Sequence, residues 1–563
     1  MPLAAGTRLG NMLRQHKDRW THRGPQHPTE NPDIGAPVHV FAAGFPWTHT
    51  FFAALLILGL AVFENYGVSM DEERSRTNGM WNLHYILSGD RGSFDSVSLQ
   101  AVLDGHYERY YGSAFDVALV VTERALHLSD SRSVILARHL VTFICFYLGA
   151  LAFYWLLLRG FKDWRLALLG VVFLVLSPRI FAEAFYNPKD LPFLAMMQMG
   201  LASMIFFLDK MTWPRALLHG LTCAFCIDIR ILGLLLPVIT AALAVIRLWD
   251  LHVAGQRLQA SAASLGIWLA TAAVGTYAFW PLLWVDPWTN FLDAFGTLAR
   301  VPWEGTVLYF GHMVLARQLP WHYLFVWIAI TTPLLYLVLF GVGWIRCLWK
   351  AAANPRQWLM QDTVEVAFLL MLTAPIAEVL IFHAVIYDGW RHLYFMYPSI
   401  LYFSILGVVT VTSWASRLGK FAVPARVLGV LIGVLCLGQI CWVMIRYHPL
   451  QNVYFNRLAG ANLTEIRRRF EMDYWGVSQR QALEKLLEID PSPKIRVYAL
   501  NTLNAQILPP ASRDRLEFTQ PEAATYFISF FRRHPEDYSA TDEVAAIRVD
   551  GTNICVVQRI HGR

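Results

Sequence analysis

Charged residues are scarce in this chain. Only 16% of its 563 residues are Asp, Glu, Lys or Arg, whereas a soluble protein has roughly 25%. The uncharged residues form long apolar stretches of about 18 residues or more, the length that a helix needs to cross a bilayer. Apolar runs without period-two alternation exclude a transmembrane barrel. We therefore predict a polytopic α-helical membrane protein.

Cysteines and metal-binding motifs are also sparse. Six of the seven cysteines lie in or beside predicted spans, so Cys555 has no partner for a disulfide in the C-terminal tail. Cys223 and Cys226 form a C-x-x-C on an apolar stretch, where we interpret them as core residues. No spacing of the H-E-x-x-H kind occurs among the histidines. The cofactor thus stays unknown, and the ligand spacing gives no support for a divalent metal.

Eleven apolar stretches predict transmembrane helices. They lie at 48–65, 134–158, 165–178, 191–208, 215–229, 231–248, 261–284, 322–345, 363–386, 393–413 and 427–446. With an odd number of spans, the basic loops fall on one side together with the N-terminal tail, and the positive-inside rule makes that side cytoplasmic. The basic residues are scattered over these loops, which does not indicate nucleic-acid binding. We predict a plasma (inner) membrane protein whose C-terminus lies outside.

The composition divides the chain into three parts. Residues 1–46 form a polar tail, residues 47–446 a membrane domain, and residues 447–563 an extracytoplasmic α/β domain. In the last part, QRQALEKLLEI has helical spacing and KIRVYAL and TYFISFF are typical of strands. A hairpin is predicted over 543–560 around Asp550 and Gly551.

A cluster of acidic residues follows the first predicted span. The stretch VSMDEERSR contains Asp71, Glu72 and Glu73. One interpretation is a solvated helix start, because acids favour a helix N-terminus. The alternative is a functional carboxylate, since ionisable groups at the membrane are functional by default. The position of the cluster favours a functional role for at least one of the three.

Basic and acidic residues also mark three other predicted helix ends on the same side. Each basic residue is open to a simpler interpretation as an interfacial anchor. Arginine suits a phosphate because it donates two parallel hydrogen bonds, and a carboxylate beside it is able to take a proton from a hydroxyl. The combination indicates group transfer from a phosphorylated lipid. The residues are Arg179, Glu183, Lys189, Asp190, Asp228, Arg230, Asp388, Arg391 and His392.

Four stretches carry a resemblance to a known family. They are SMDE after the first span, SPRIFAEAFYNPKDLPF, LPWHYLFVWIAITTP, and RHLYFMYP at the start of a late span. Over residues 48–446 the chain resembles the GT-C superfamily of integral membrane glycosyltransferases. The nearest branch contains protein O-mannosyltransferases, lipid A aminoarabinose transferases and lipopolysaccharide galacturonic acid transferases.

This resemblance implies an activity and a set of site residues. The activity is inverting transfer of a sugar from a polyprenyl-phosphate donor to a hydroxyl of a lipid, glycan or protein, on the non-cytoplasmic face. Asp71 matches the catalytic carboxylate. Arg74 follows the cluster, however, and an ion pair between Arg74 and one of the carboxylates would occupy that carboxylate. The catalytic base is therefore either Asp71 or Glu72. Arg391 matches the phosphate-binding residue, and the second acidic site is either Asp190 or Glu183. Further donor phosphate-binding candidates are Arg230, Lys189 and Arg179.

A different class of protein also fits the composition. A secondary transporter would use Asp71, Asp228 and Arg230 as its substrate or proton site, and a lipid-linked glycan flippase component is a related alternative. Transporters usually contain internal repeats and charges at the membrane midplane. No repeat is evident here, and the charges lie towards one face. The sequence therefore favours the transferase, without indicating which sugar or acceptor it uses.

Overall fold

The computed structural model describes residues 46–89, 110–299, 303–539 and 541–560. The predicted cytoplasmic tail, apart from its last residue, lies outside the described residues, as do residues 90–109 between the first two predicted spans. The described residues from position 54 onwards form one compact unit. The residues before them contribute the first half of helix Pro46–Val62.

The described chain is mainly helical. Its longer helices are Pro46–Val62, Glu72–Ser88, Ala114–Ala125, Ser131–Phe161, Trp164–Val175, Pro178–Tyr186, Asp190–Asp209, Trp213–Ile229, Leu235–Val253, Gln259–Phe279, Pro287–Ala299, Tyr323–Thr331, Leu334–Ala353, Pro355–Gln361, Thr363–Phe382, Tyr397–Ala415, Ala422–Tyr447 and Gln479–Ile489. Two short helices, Leu463–Arg467 and Pro510–Arg513, lie in the C-terminal part.

Within the described ranges, nine helices are long and apolar enough to cross a membrane, or ten if a bent pair counts as one span. The chain is therefore an integral membrane protein. The bent pair is Trp164–Val175 with Pro178–Tyr186, at 68°. The remaining predicted span is a helix of 17 residues, Trp213–Ile229. Two of the eleven predicted spans are thus outside the count of nine: 215–229, which lies in this short helix, and 165–178, which lies in the bent pair.

The predicted span 322–345 is interrupted at Pro333. Helix Tyr323–Thr331 ends just before it and helix Leu334–Ala353 begins just after it, because proline has no N–H and disfavours a helical residue before it. Asn456 binds the carbonyls that the break leaves free. Its Nδ2 donates to the carbonyl oxygens of Ala329 and Thr332, at 2.6 Å each. A residue beyond the last span thus stabilises a break that the apolar pattern alone does not show.

The C-terminal part contains a five-stranded mixed sheet. A separate short hairpin, β1 (Thr306–Tyr309) and β2 (His312–Leu315), precedes it in the chain. The sheet has the order β4-β3-β5-β7-β6, with β3 parallel to both neighbours and the other pairs antiparallel. Its strands are β3 (Ile495–Ala499), β4 (Leu516–Phe518), β5 (Tyr526–Ser529), β6 (Glu543–Val549) and β7 (Thr552–Arg559). The predicted hairpin is present and turns at Asp550 and Gly551, both of which have a positive φ.

The C-terminal part packs against the segment that follows the first span. The side chain of Asn504 accepts a hydrogen bond from Val68 N at 2.8 Å and donates to Val68 O at 3.1 Å. Asn501 Nδ2 also donates to Val68 O. A Cβ added at Gly67 would lie 2.2 Å from Val477 O. The backbone of residues 67–68 is therefore enclosed by the C-terminal domain, only three residues before Asp71.

Gly67→Ala is expected to lower the midpoint of thermal unfolding, because its new methyl group would collide with the backbone carbonyl of Val477. Overpacking of this kind costs about 1–3 kcal/mol. Gly266→Ala is the matched control, since an added Cβ there meets no atom within 4 Å. Equal unfolding midpoints for the two variants in detergent would show that the contact at Gly67 relaxes freely.

Candidate functional site

A cavity of about 280 Å³ lies where the membrane helices meet the C-terminal domain. Its wall comes from distant parts of the chain: the start of helix Glu72–Ser88, the NPKD segment, the YDGWRH segment and the loop after β5. Its charged lining residues are Asp71, Arg74, Lys189, Arg230, Asp388, Arg391, Arg532 and Arg533. The cavity thus collects both signs of charge at one end of the membrane helices.

The three consecutive acids at 71–73 point in different directions because they begin a helix. Asp71 lines the cavity and makes no capping hydrogen bond to the helix. Glu72 is buried, accepts a hydrogen bond from Ser69 N at 2.8 Å, and pairs with His139 Nε2 at 3.1 Å. Glu73 is exposed. Of the two candidate bases, Asp71 lies at the cavity, whereas Glu72 ties the helix start to helix Ser131–Phe161.

Arg391 lies at the centre of three carboxylates. Its Nη1 donates to Asp71 Oδ2 and to Asp190 Oδ2, at 3.1 Å each, and its Nη2 donates to Asp388 Oδ2 at 3.4 Å. The guanidinium also lies over the Trp475 ring, 4.6 Å from the centroid. With its terminal nitrogens engaged by aspartates, Arg391 fixes Asp71 in place. Phosphate binding through Arg391 would compete with these pairs.

Asp190, in the NPKD segment, is another acidic residue that joins this cluster. It is fully buried and also accepts a hydrogen bond from Arg230 Nη2. Asn187 holds it from both sides: Nδ2 donates to Asp190 Oδ2 at 3.0 Å, and Oδ1 accepts from Asp190 N at 2.9 Å. The sequence left Asp190 and Glu183 as alternatives, and the structure brings Asp190 to Arg391.

Glu183 and Arg179 lie in contacts away from the cavity. Glu183 is fully buried and accepts hydrogen bonds at 3.0 Å from the hydroxyls of Tyr394 and Tyr474. Arg179 donates to the carbonyl of Tyr454 at 2.9 Å and stacks on Phe455. Neither residue is part of the cavity lining, and both join the membrane helices to the segment after the last span.

The side of the cavity next to the NPKD segment is aromatic and basic. The Lys189 ammonium lies 3.4 Å from the centroid of the Tyr111 ring. Arg230, 6.0 Å from the same centroid, lies beside it. Trp303 lines the cavity and stacks on Tyr387, with 4.1 Å between ring centroids. This wall is suited to an anionic group attached to a ring-shaped or apolar body.

The C-terminal domain contributes residues to the cavity that the sequence did not single out. Leu500 follows β3, and Phe530, Arg532 and Arg533 follow β5. Because β3 and β5 are parallel, their carboxyl ends meet at the same edge of the sheet, which in open α/β sheets is where ligands bind. In the sequence, the two consecutive arginines directly after the predicted strand TYFISFF were the signal that could have indicated this part of the site.

Burial and the neighbouring charges have opposite effects on the pKa of Asp71. Burial by itself would raise the pKa of Asp71, but the nearby Arg391, Lys189 and Arg74 lower it below its ordinary value of 3.8. The carboxylate is therefore ionised at neutral pH, despite its position in the wall of the cavity. An ionised carboxylate held beside these basic side chains is able to accept a proton from a ligand.

Asp228 caps a helix that lies between the first two predicted spans. Its carboxylate accepts hydrogen bonds from Ala114 N at 2.6 Å and from Ser113 N at 3.4 Å, at the start of helix Ala114–Ala125. It is fully buried and is not among the residues that line the cavity. Of the three residues of the transporter hypothesis, Asp71 and Arg230 thus share a cavity, and Asp228 has a structural contact.

Among the described residues, no group of three or more His, Cys, Asp or Glu side chains is arranged to hold a metal ion. Asp71 and Asp388, which line the cavity, and Asp190 behind them converge on the Arg391 guanidinium. Clustered carboxylates of this kind otherwise suit a hard divalent cation.

Two similar solved structures contain a lipid-phosphate ligand. The crystal structure of ArnT from Cupriavidus metallidurans bound to undecaprenyl phosphate has 15% identity and a TM-score of 0.47, and the similarity covers 85% of this chain and 87% of that chain. The archaeal oligosaccharyltransferase AglB from Archaeoglobus fulgidus, in complex with an inhibitory peptide and a dolichol-phosphate, has 12% identity and a TM-score of 0.41, with 72% and 56% covered. No family model and no curated protein matches the chain. Similarity at this level does not assign an activity to this chain.

Proposed function

We propose that this protein is an inverting glycosyltransferase that moves a sugar from a polyprenyl-phosphate carrier to an acceptor hydroxyl on the outer face of the membrane. One observation carries this proposal: an ionised carboxylate, Asp71, shares a cavity at the end of the membrane helices with a group of basic residues. A lipid carrier keeps its chain in the bilayer, so its phosphate and sugar are presented at that level. The residue patterns that resemble the GT-C branch containing aminoarabinose and mannose transferases support the same activity.

In the proposed reaction, the acceptor oxygen attacks the anomeric carbon from the side opposite the phosphate. The bond between that carbon and the phosphate oxygen breaks, and the polyprenyl phosphate leaves with the electron pair. Asp71 takes the proton of the acceptor hydroxyl, as a general base. Basic side chains at the cavity stabilise the charge that develops on the leaving phosphate. Lys189 and Arg230 are our candidates for this contact, since both lie at the Tyr111 ring in the cavity wall; Arg230 pairs with Asp190, whereas Arg391 is bound to three aspartates.

The proposed function is tested by comparing membrane glycans and lipids. Mass spectrometry of envelope extracts is expected to show a glycosylated species in cells that contain the wild-type protein, and to show only its sugar-free precursor in cells with Asp71→Asn at equal protein level. Purified protein in nanodiscs should then release polyprenyl phosphate from the donor, and the product should have the opposite anomeric configuration. Identical extracts from the two strains would contradict the proposal.

The proposed topology has the N-terminus in the cytoplasm and the cavity and C-terminal domain outside. Ser539→Cys, in the exposed loop before β6, is expected to react with a membrane-impermeant thiol reagent on intact cells. Lys420→Cys, in the exposed turn before helix Ala422–Tyr447, is the matched control and should react only after permeabilisation. Both variants are made with Cys441→Ser, because Cys441 is itself exposed. The reverse pattern of labelling would invert the topology.

A further inference from the structure

The cavity has more basic than acidic side chains. Two aspartates and six basic residues line it: Asp71, Asp388, Arg74, Lys189, Arg230, Arg391, Arg532 and Arg533. Asp190 lies behind them and neutralises part of this charge through Arg391 and Arg230. A sugar-linked lipid phosphate is a diester with a single negative charge. The surplus of positive charge therefore exceeds what the carrier's phosphate alone requires.

Two of the six basic residues lie in the loop of the C-terminal domain after β5. Phe531 and Arg533, on either side of Arg532, both have a φ of 62°. A left-handed backbone is unfavourable for residues with a side chain of this kind, and it persists where the surrounding structure fixes it, often at functional sites. Here Arg532 Nη1 donates to the carbonyl of Tyr474 at 2.8 Å, and Phe531 N donates to Ser529 Oγ at 3.2 Å. The loop is thus held in a shape that directs two consecutive arginines to the cavity wall.

Asp388 separates this loop from the Arg391 cluster. Its Oδ1 accepts from Arg532 Nη2 at 2.8 Å, and its Oδ2 accepts from Arg391 Nη2 at 3.4 Å. Asp388 also has a left-handed backbone, with a φ of 54°. One carboxylate therefore bridges the two guanidinium groups, one on each oxygen. Arg391 also donates to Asp71 and Asp190, whereas Arg532 also donates to the carbonyl of Tyr474.

Arg532 and Arg533 differ in how they are held. Arg532 is largely buried, and its Nε has no hydrogen-bond partner among the described residues. Glu471 is the carboxyl of the C-terminal domain near Arg532; burial raises the pKa of Glu471, and the charge of Arg532 acts in the opposite direction. Arg533 is exposed and lines the same cavity. The pair therefore presents a fixed and an accessible guanidinium to a ligand.

We propose that Arg532 and Arg533 form a second anion-binding subsite, which takes a carboxylate or phosphate group that the substrate carries in addition to the phosphate of its lipid carrier. This inference rests on the proposed transferase function and narrows its substrates to anionic ones. The extra group belongs either to the transferred sugar or to the acceptor. Arginine suits both groups because its planar fork matches the geometry of carboxylate and phosphate oxygens.

The subsite is tested with matched pairs of substrates. One pair consists of donors that carry a uronic acid or the corresponding neutral hexose, and the other of acceptors with or without a phosphate. The wild-type protein is expected to prefer the charged member of one pair, and the pair concerned identifies the source of the charge. Arg533→Gln should reduce this preference in kcat/KM by about tenfold, the effect of losing one hydrogen bond to a charged group, while Arg533→Lys should retain part of it.

Arg496→Gln is the control, because Arg496 is an exposed arginine on β3 that does not line the cavity. The preference in this variant should equal that of the wild type. Equal losses on charged and neutral substrates in Arg533→Gln, or the same loss in Arg496→Gln, would overturn the subsite.

Failure of the transferase function itself gives a different result, namely no transfer by the wild-type protein from any donor. The subsite is then judged by titration of the intact protein with inorganic phosphate. Weaker binding by Arg533→Gln than by Arg496→Gln would support it, and equal affinities would overturn it.

Discussion

Replacing Asp71 by Asn is expected to reduce sugar transfer by about a hundred- to ten-thousand-fold, the range found when a general base is lost. The amide is nearly isosteric and still reaches Arg391, but it does not accept a proton. Binding of the donor lipid should be retained, so the loss should appear in kcat. Transfer from a defined polyprenyl-phosphate sugar by purified protein in nanodiscs measures this.

The neighbouring acids provide the controls for Asp71. Glu73→Gln removes an exposed charge two residues after Asp71 and should leave kcat unchanged. Glu72→Gln changes the buried contacts with His139 and Ser69, so we expect lower thermal stability and less folded protein, but near-normal turnover per folded molecule. Full turnover in Asp71→Asn would remove the central residue of the proposed mechanism, and loss of turnover in folded Glu72→Gln would move the base by one residue.

The pH dependence of transfer gives an independent test of Asp71. Its pKa is lowered, because Arg391, Lys189 and Arg74 outweigh the effect of burial. A base must be ionised to act, and a lowered pKa keeps Asp71 ionised to a lower pH. The decrease in kcat/KM at acidic pH that protonation of Asp71 causes should therefore occur below pH 3.8. Asp71→Glu keeps a carboxylate at this position and should retain some activity.

Arg391→Lys is expected to reduce kcat by about a hundredfold, the typical consequence of misplacing a catalytic group. The lysine keeps the charge but not the fork, and a single ammonium does not reproduce the geometry with which Arg391 binds Asp71, Asp190 and Asp388. Because Arg391 is bound to these carboxylates, we expect the main loss in kcat, with a smaller change in the KM for the donor.

Arg179→Lys is the matched control for Arg391→Lys, because Arg179 is also a buried arginine with an aromatic neighbour but lies outside the cavity. It should lower thermal stability and leave the turnover of the folded protein intact. A rise in the donor's KM without a change in kcat in Arg391→Lys would instead assign Arg391 to phosphate binding, as the sequence resemblance implied.

The class of the fold follows from local patterns. Uncharged stretches long enough to cross a bilayer require helices. Strand-like stretches and an Asp-Gly turn predicted β3, β5 and the hairpin of β6 and β7 in the C-terminal sheet, but not β4. The patterns failed where distant residues decide the local structure. The span at 322–345 is one example, since Asn456 satisfies the carbonyls at its break.

The sequence by itself determined the position of an acidic residue at the end of a membrane helix and of an arginine at the start of another. It left open which acid acts, because neighbouring residues at 71 and 72 look equivalent until the helix turns one towards the cavity and the other towards His139. Only the tertiary structure joined Asp71 to Arg391, 320 positions away, and brought Arg532 from the C-terminal sheet to Asp388. The physical reason is that ion pairs form between side chains that packing brings within about 4 Å, a distance that depends on the packing of the whole chain.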